Sequence, residues 1–145
     1  MKTLLSIVLV AGLNMAFAQY DKASENWAKL AKVSYDKTQD EYGEIYVPKF
    51  DDAVREMDGK TIVLEGFIVP FDGLFEPDKI IVSALPIASC FFCGGSGPET
   101  VVEVYLKESI KYTAKAVRVT GKLYLNDKDY NQLMYVLKEA KMEIL

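Results

Sequence analysis

The 145-residue chain is half hydrophobic and carries a formal net charge of −4. That is enough apolar sequence for one folded domain, and the acidic balance argues against nucleic acid or an anionic membrane surface as a partner. There is no histidine, which removes the commonest metal ligand, the commonest general base and every Ser-His or Cys-His dyad.

In chain order, Met1-Lys2-Thr3 is a short basic start, Leu4 to Gly12 is almost continuously apolar, and Ala16-Phe17-Ala18 fits small-x-small cleavage. This predicts a signal peptide over residues 1–18, a mature chain from Gln19, and export to the periplasm or the outside of the cell. The apolar run falls short of the roughly 20 residues of a spanning helix, so no stable membrane insertion is expected after cleavage. From Asp21 to Tyr35, Trp27, Leu30, Ala31 and Ser34 recur at i, i+3, i+4 and i+7, the spacing of an amphipathic helix with Trp27 as its core anchor. Asp36 to Gly43 is polar and reads as a loop. Residues 19–43 are therefore expected to form an N-terminal helical extension, and residues 44–145 the main domain. Glu44 to Val47 is a short strand candidate ended by Pro48. Phe50 to Gly59 predicts a short helix with Asp51 as N-cap, Gly59 as its stop, and Phe50, Val54 and Met57 on the buried face.

Lys60 to Phe71 alternates apolar positions around Ile62, Leu64 and Ile68, the strongest strand signal in the chain. Gly66 in its middle marks a bulge or sharp bend at which the strand can pass from one sheet to another. Further strands are expected over Lys79–Leu85, Thr100–Lys107 and Ala116–Leu125. In the second of these Val102, Val104 and Leu106 face one way, and Val101, Glu103 and Tyr105 the other. Asn126 can cap a helix whose apolar stripe is Tyr130, Leu133, Met134 and Leu137, and Met142 to Leu145 can return as a last strand. The fold class expected is mainly β with flanking helices (α+β). It would be a small OB-like barrel of about five strands, with the N-terminal helical extension and one helix near the C-terminus. A small sheet covered on one side by helices is the alternative.

The distinctive chemistry lies in Ser89-Cys90-Phe91-Phe92-Cys93-Gly94-Gly95-Ser96-Gly97-Pro98-Glu99. Three readings of Cys90 and Cys93 compete. In an exported chain, two cysteines pair as a structural disulfide. Two thiolates also suit a soft metal: copper(I) accepts two ligands, whereas zinc normally takes four and would need Glu99, water or a second chain. Thiol–disulfide exchange needs a lowered thiol pKa, and the nearest charges here are acidic, although successive N–H groups of the glycine turn favour a thiolate. Phe91 and Phe92 cannot easily both turn inward from a tight loop. An exposed ring, with Phe71, Leu74 or Phe75, would mark a partner surface, for which Phe91, Phe92 and Glu99 are the candidates. The alternative is that both rings fold onto the barrel end. In a meandering barrel the Phe71–Asp78 loop and the cysteine loop are expected at opposite ends. The glycine run lacks the lysine and following helix of a phosphate loop.

Asp58-Gly59-Lys60, Gly66-Phe67-Ile68-Val69-Pro70, Cys90-Phe91-Phe92-Cys93-Gly94 and Gly97-Pro98-Glu99 together resemble an uncharacterised family of small exported bacterial OB-like domains. The likeness runs from about Tyr46 to the C-terminus. The resemblance implies an OB-like barrel outside the cytoplasm and carries over no catalytic residue. The function expected is a non-enzymatic binding or accessory domain, meeting an unknown protein or small ligand through the CxxC loop. A copper- or zinc-binding protein and a thiol–disulfide redox protein are the alternatives.

Overall fold

The computed structural model describes residues 22–145, so the expected signal peptide and cleavage point lie outside the described residues. Residues 22–30 form a helix, α1. A hairpin follows, β1 (Val33–Asp40) and β2 (Gly43–Phe50), then a single helical turn, α2 (Asp52–Arg55). The remaining strands are β3 (Thr61–Ile68), β4 (Phe75–Glu76), β5 (Lys79–Ser83), β6 (Val101–Leu106), β7 (Ala116–Leu125) and β8 (Tyr135–Ile144). Three short 3-10 turns lie between β5 and β6.

Five strands close into a barrel in the order β3-β7-β8-β6-β5, with β3 returning to β5, and β4 extends the sheet from β5. The β6–β8 pairing is parallel and the other barrel pairings are antiparallel. The alternating apolar residues explain the closure. Ile62, Leu64 and Ile68 of β3, Ile80 and Val82 of β5, Val102 and Val104 of β6, Val117, Val119 and Leu123 of β7 and Leu137 of β8 form one buried cluster. Each such side chain contributes about 1.5–3 kcal/mol relative to exposure.

Gly66 sits where β3 changes partners. Residues 61–67 pair with β7, while Phe67 and Ile68 pair with Ser83 and Val82 of β5. A Cβ at position 66 would run into the Ser83 carbonyl oxygen, so the close crossing that shuts the barrel requires glycine. Before that crossing, residues 61–66 have a strand neighbour on one side only. There α1 takes over: Asn26 Nδ2 donates to the Val63 carbonyl (2.9 Å) and Trp27 Nε1 to the Glu65 carbonyl (2.8 Å). Trp27 also packs against the main core, the anchoring role its spacing predicts.

Three expectations are corrected. The helix expected from Asp21 to Tyr35 ends at residue 30, and the loop expected over 36–43 belongs to the hairpin. The Asp40 carboxylate accepts from the Tyr42 and Gly43 N–H groups (2.8 and 3.0 Å), and Gly43 takes φ +132°. That turn chemistry outweighs the helical spacing. The helix expected near the C-terminus is absent; the stretch is a loop followed by β8. Asn126 does gather local N–H groups, but from Lys128 and Asp129, while its amide donates to the Asp129 carbonyl (2.7 Å). Tyr135, Val136 and Leu137 are then needed as a strand between β7 and β6, and barrel closure overrides an i, i+3, i+4 pattern. The Asp51 N-cap is present, accepting from Val54 N (2.9 Å), with Phe50, Val54 and Met57 all buried.

Candidate functional site

The cysteine segment lies across the outer face of β5 and β6. Cys90 is fully buried there with Val69, Ile81 and Val101, in an apolar cluster separate from the barrel core. Leu74, Phe91, Phe92 and Leu133 pack against that cluster. The two phenylalanine rings meet edge to face, with centroids 5.2 Å apart. Both rings are half-buried, so the tight loop accommodates both without burying or exposing either one.

The loop's shape follows from its glycines and hydroxyls. Phe91–Cys93 is one 3-10 turn, closed by Cys93 N to the Cys90 carbonyl (3.0 Å). Gly94 ends it at φ +76°, a left-handed conformation that other residues rarely take. At Gly97 the Glu99 carboxylate occupies the space a Cβ would take, so a side chain there would have to displace it. Thr100 Oγ1 donates to the Gly97 carbonyl (2.7 Å) and lies 2.9 Å from Ser96 Oγ. The segment is thus braced by its own backbone and hydroxyl hydrogen bonds.

Within it the two sulfurs differ. Cys90 is buried, Cys93 is exposed, and both are free thiols, so the disulfide expected from the sequence is not formed in this structure. The i to i+3 turn keeps the two Cα atoms within about 7 Å, the outer limit of disulfide reach. Among the described residues no three His, Cys, Asp or Glu side chains group as a metal centre. Glu99 points toward the N-terminal hairpin, accepting a hydrogen bond from the Tyr35 hydroxyl (3.0 Å). Burial, with the Glu99 hydrogen bond second, pushes the Tyr35 phenol well above the usual tyrosine range.

The Phe71–Asp78 loop and the cysteine loop, expected at opposite ends, meet. Leu74 and Phe92 are two walls of one groove of about 230 Å³, whose other lining includes Lys79, Ile81, Asn131, Gln132 and Leu133. Glu103 forms its floor and is only 3% exposed. The Glu103 carboxylate accepts from the Tyr105 hydroxyl (2.6 Å) and from Leu133 N (3.1 Å), and lies 3.5 Å from the Lys79 ammonium. Gln132 Nε2 in turn donates to the Tyr105 hydroxyl (3.1 Å). The adjacent carboxylate raises the Lys79 pKa above the usual lysine value, and the Glu103 hydrogen bond, with burial second, raises that of Tyr105. Sequence reasoning placed Glu103 on the outer face of its strand but gave it no role. The available signal was an acid in the middle of the otherwise apolar Val101–Val104 run.

A larger cavity of about 460 Å³ lies beside α1, lined by Ala23, Trp27, Gly66 and Leu145 among others. Its strongest polar groups are already engaged, Trp27 with the Glu65 carbonyl and the Glu65 carboxylate with Arg118. The smaller groove is the better candidate, because a buried carboxylate, an ammonium and side-chain amides line it beside an apolar wall.

No protein-family model, curated protein or solved structure matches this chain. Among the described residues, no helix is long and apolar enough to cross a membrane.

Proposed function

We propose that this protein is an exported, non-enzymatic binding or accessory domain of OB-like type, whose ligand sits in the groove between the Phe71–Asp78 loop, the cysteine loop and the 126–134 loop. The OB-like reading rests on the strand order and on the single parallel pair, β6 with β8. In OB barrels the second and third strands, with the loops joining strands one to two and four to five, bind ligands. Those elements here are β5, β6 and the two loops beside Leu74 and Gln132.

The single observation that carries the proposal is the buried Glu103 carboxylate on the groove floor, fixed by Tyr105, Leu133 and Lys79. Burying a charge is costly unless it is well paired. Here Glu103, Lys79, Tyr105 and the Gln132 amide form one paired polar network on a recess that Leu74, Ile81, Phe92 and Leu133 wall with apolar surface. A recess of about 230 Å³ takes one small polar ligand or one anchoring side chain of a partner protein. Tyr130, 71% exposed on the rim, supplies a flat apolar surface beside it.

A photo-crosslinking amino acid in place of Tyr130, in protein expressed in its native compartment, tests this. A recurrent adduct that disappears when Phe92→Asp is added, and that is absent with the probe at Tyr42, supports the groove. Equal labelling at Tyr130 and Tyr42 overturns it.

The soft-metal and redox alternatives rest on Cys90 and Cys93 alone. With no third donor grouped beside them among the described residues, the pair suits a two-coordinate ion such as copper(I) better than zinc. The exposed position of Cys93 is the observation that favours a redox role, since thiol exchange needs access.

A further inference from the structure

We propose that the outer face of β7 and β8 carries a second site, independent of the groove, that binds a soluble phosphate-class oxyanion through Lys122, Lys138 and Lys141. The placement of these three lysines depends on a defect in the sheet. Lys122 pairs directly with Lys138, and Thr120 with Lys141, with a register shift between the two pairs. Directly opposed residues share a face, so the extra residue in β8 brings Lys138 and Lys141 out on the same side, where a regular strand would put them on opposite sides. At the shift, Glu139 has φ +52°, the one non-glycine residue with positive φ among the described residues. On the facing strand a Cβ at Gly121 would come within 2.8 Å of the Ala140 Cβ. The bulge is therefore built by two special backbone positions, and strain of this kind concentrates at functional sites.

The bulge collects like charges. Cross-strand partners have Cβ atoms about 5 Å apart and diagonal neighbours about 7 Å, so the three lysine side chains leave the sheet from one small patch of like charge. None of the three makes an ion pair among the described residues, although Lys29, Lys37, Lys49, Lys79 and Lys107 all do. One step along the same face Arg118 is bound by Glu65 and Glu143, so the acids that neutralise this face end there. Glu139, the acid inside the bulge, reaches toward Lys107 instead. Lys122 and Lys138 both place their ammonium groups beside the Tyr124 ring, at 5.6 and 5.0 Å from its centroid. Three lysines without an ion pair among the described residues, on one face of a net-acidic chain, suit a compact multivalent anion. The overall negative charge disfavours an anionic membrane as its source.

Titration of the full chain with inorganic phosphate at constant ionic strength, followed by amide shifts of residues 120–124 and 138–141, tests the site. Saturable shifts are expected, weakened about tenfold in Lys138→Gln and in Lys141→Gln and unchanged in Lys29→Gln. Both positions are exposed, so neither variant disturbs the core. Absence of saturation, or equal affinity in all variants, overturns the proposal. So does cosedimentation with phosphatidylglycerol vesicles without phosphate titration, which would make the face a membrane contact.

Discussion

The Tyr35 hydroxyl donates to the Glu99 carboxylate across 64 positions of sequence, at 3.0 Å. This contact joins the N-terminal hairpin to the end of the cysteine loop. The same carboxylate lies over Gly97, so Glu99 fixes the loop from within and from outside. The carboxylate thus ties the end of the cysteine loop to the hairpin as well as to the loop's own glycine turn.

Tyr35 and Tyr135 both hold their phenols protonated well above the unfolded value of 10.0, mainly through burial. Because the folded-state pKa is raised, the native protein keeps these protons more tightly than the unfolded chain. Stability from this source is complete below about pH 10 and is lost as pH climbs further. Urea midpoints measured across pH 8–11.5 should fall steeply above pH 10. Tyr35→Phe should flatten that fall while lowering neutral-pH stability by about 1 kcal/mol through the lost hydrogen bond. An unchanged alkaline slope in Tyr35→Phe and Tyr135→Phe alike would assign the loss to other groups.

Gly66→Ala drives a methyl group into the Ser83 backbone at the barrel seam. Backbone cannot swing aside as a flexible side chain can, so the loss should reach about 3 kcal/mol or more. Thr61→Ala, on the same strand but exposed, should stay within about 0.5 kcal/mol. Equilibrium urea unfolding of the two variants makes the comparison.

The barrel strands were readable because each buries one face of an alternating pattern, and because Gly66 interrupts the one strand that must bend. The hairpin was not, because Val33, Tyr35 and Phe50 sit at positions compatible with either period, and the decision falls to the Asp40 turn. Nor was β8, since its apolar residues fit a helical stripe until a barrel needs a fifth strand between β7 and β6. The cysteine loop was visible as composition. Its union with Leu74 and Leu133 was not, because three loops meet there only after the sheet has closed. Lys79, Glu103 and Gln132 are far apart in sequence, and no local spacing could group them.

The two cysteines should behave differently toward reagents. In reduced native protein Cys93 should react rapidly with a maleimide, while Cys90, fully buried among Val69, Ile81 and Val101, should react only on unfolding. Cys93→Ser should change stability by no more than about 0.5 kcal/mol. Cys90→Ser places a hydroxyl in an apolar pocket and should cost about 1–3 kcal/mol. Intact mass of protein taken unreduced from its compartment reads the other state directly. Loss of two hydrogens, with neither thiol reactive, would mean that the pair closes across its turn in that compartment.

Glu103→Ala separates the groove from the barrel's stability. Removing the carboxylate leaves Leu133 N and the Tyr105 hydroxyl without their acceptor and the Lys79 ammonium without its counterion. Lys79 is partly exposed, so its pairing contributes at most about 1 kcal/mol. The two part-buried donors matter more, and the variant should lose about 1–3 kcal/mol in all. Leu133 is held on the 126–134 loop by that same acceptor, so its amide should exchange about tenfold faster than in the wild type, while core amides of β3 and β7 slow or quicken only with global stability. Glu103→Gln keeps an acceptor for Leu133 and should restore most of the protection without the attraction on Lys79. If the Leu133 amide exchanges no faster in Glu103→Ala than the global unfolding change requires, the carboxylate does not position this wall of the groove.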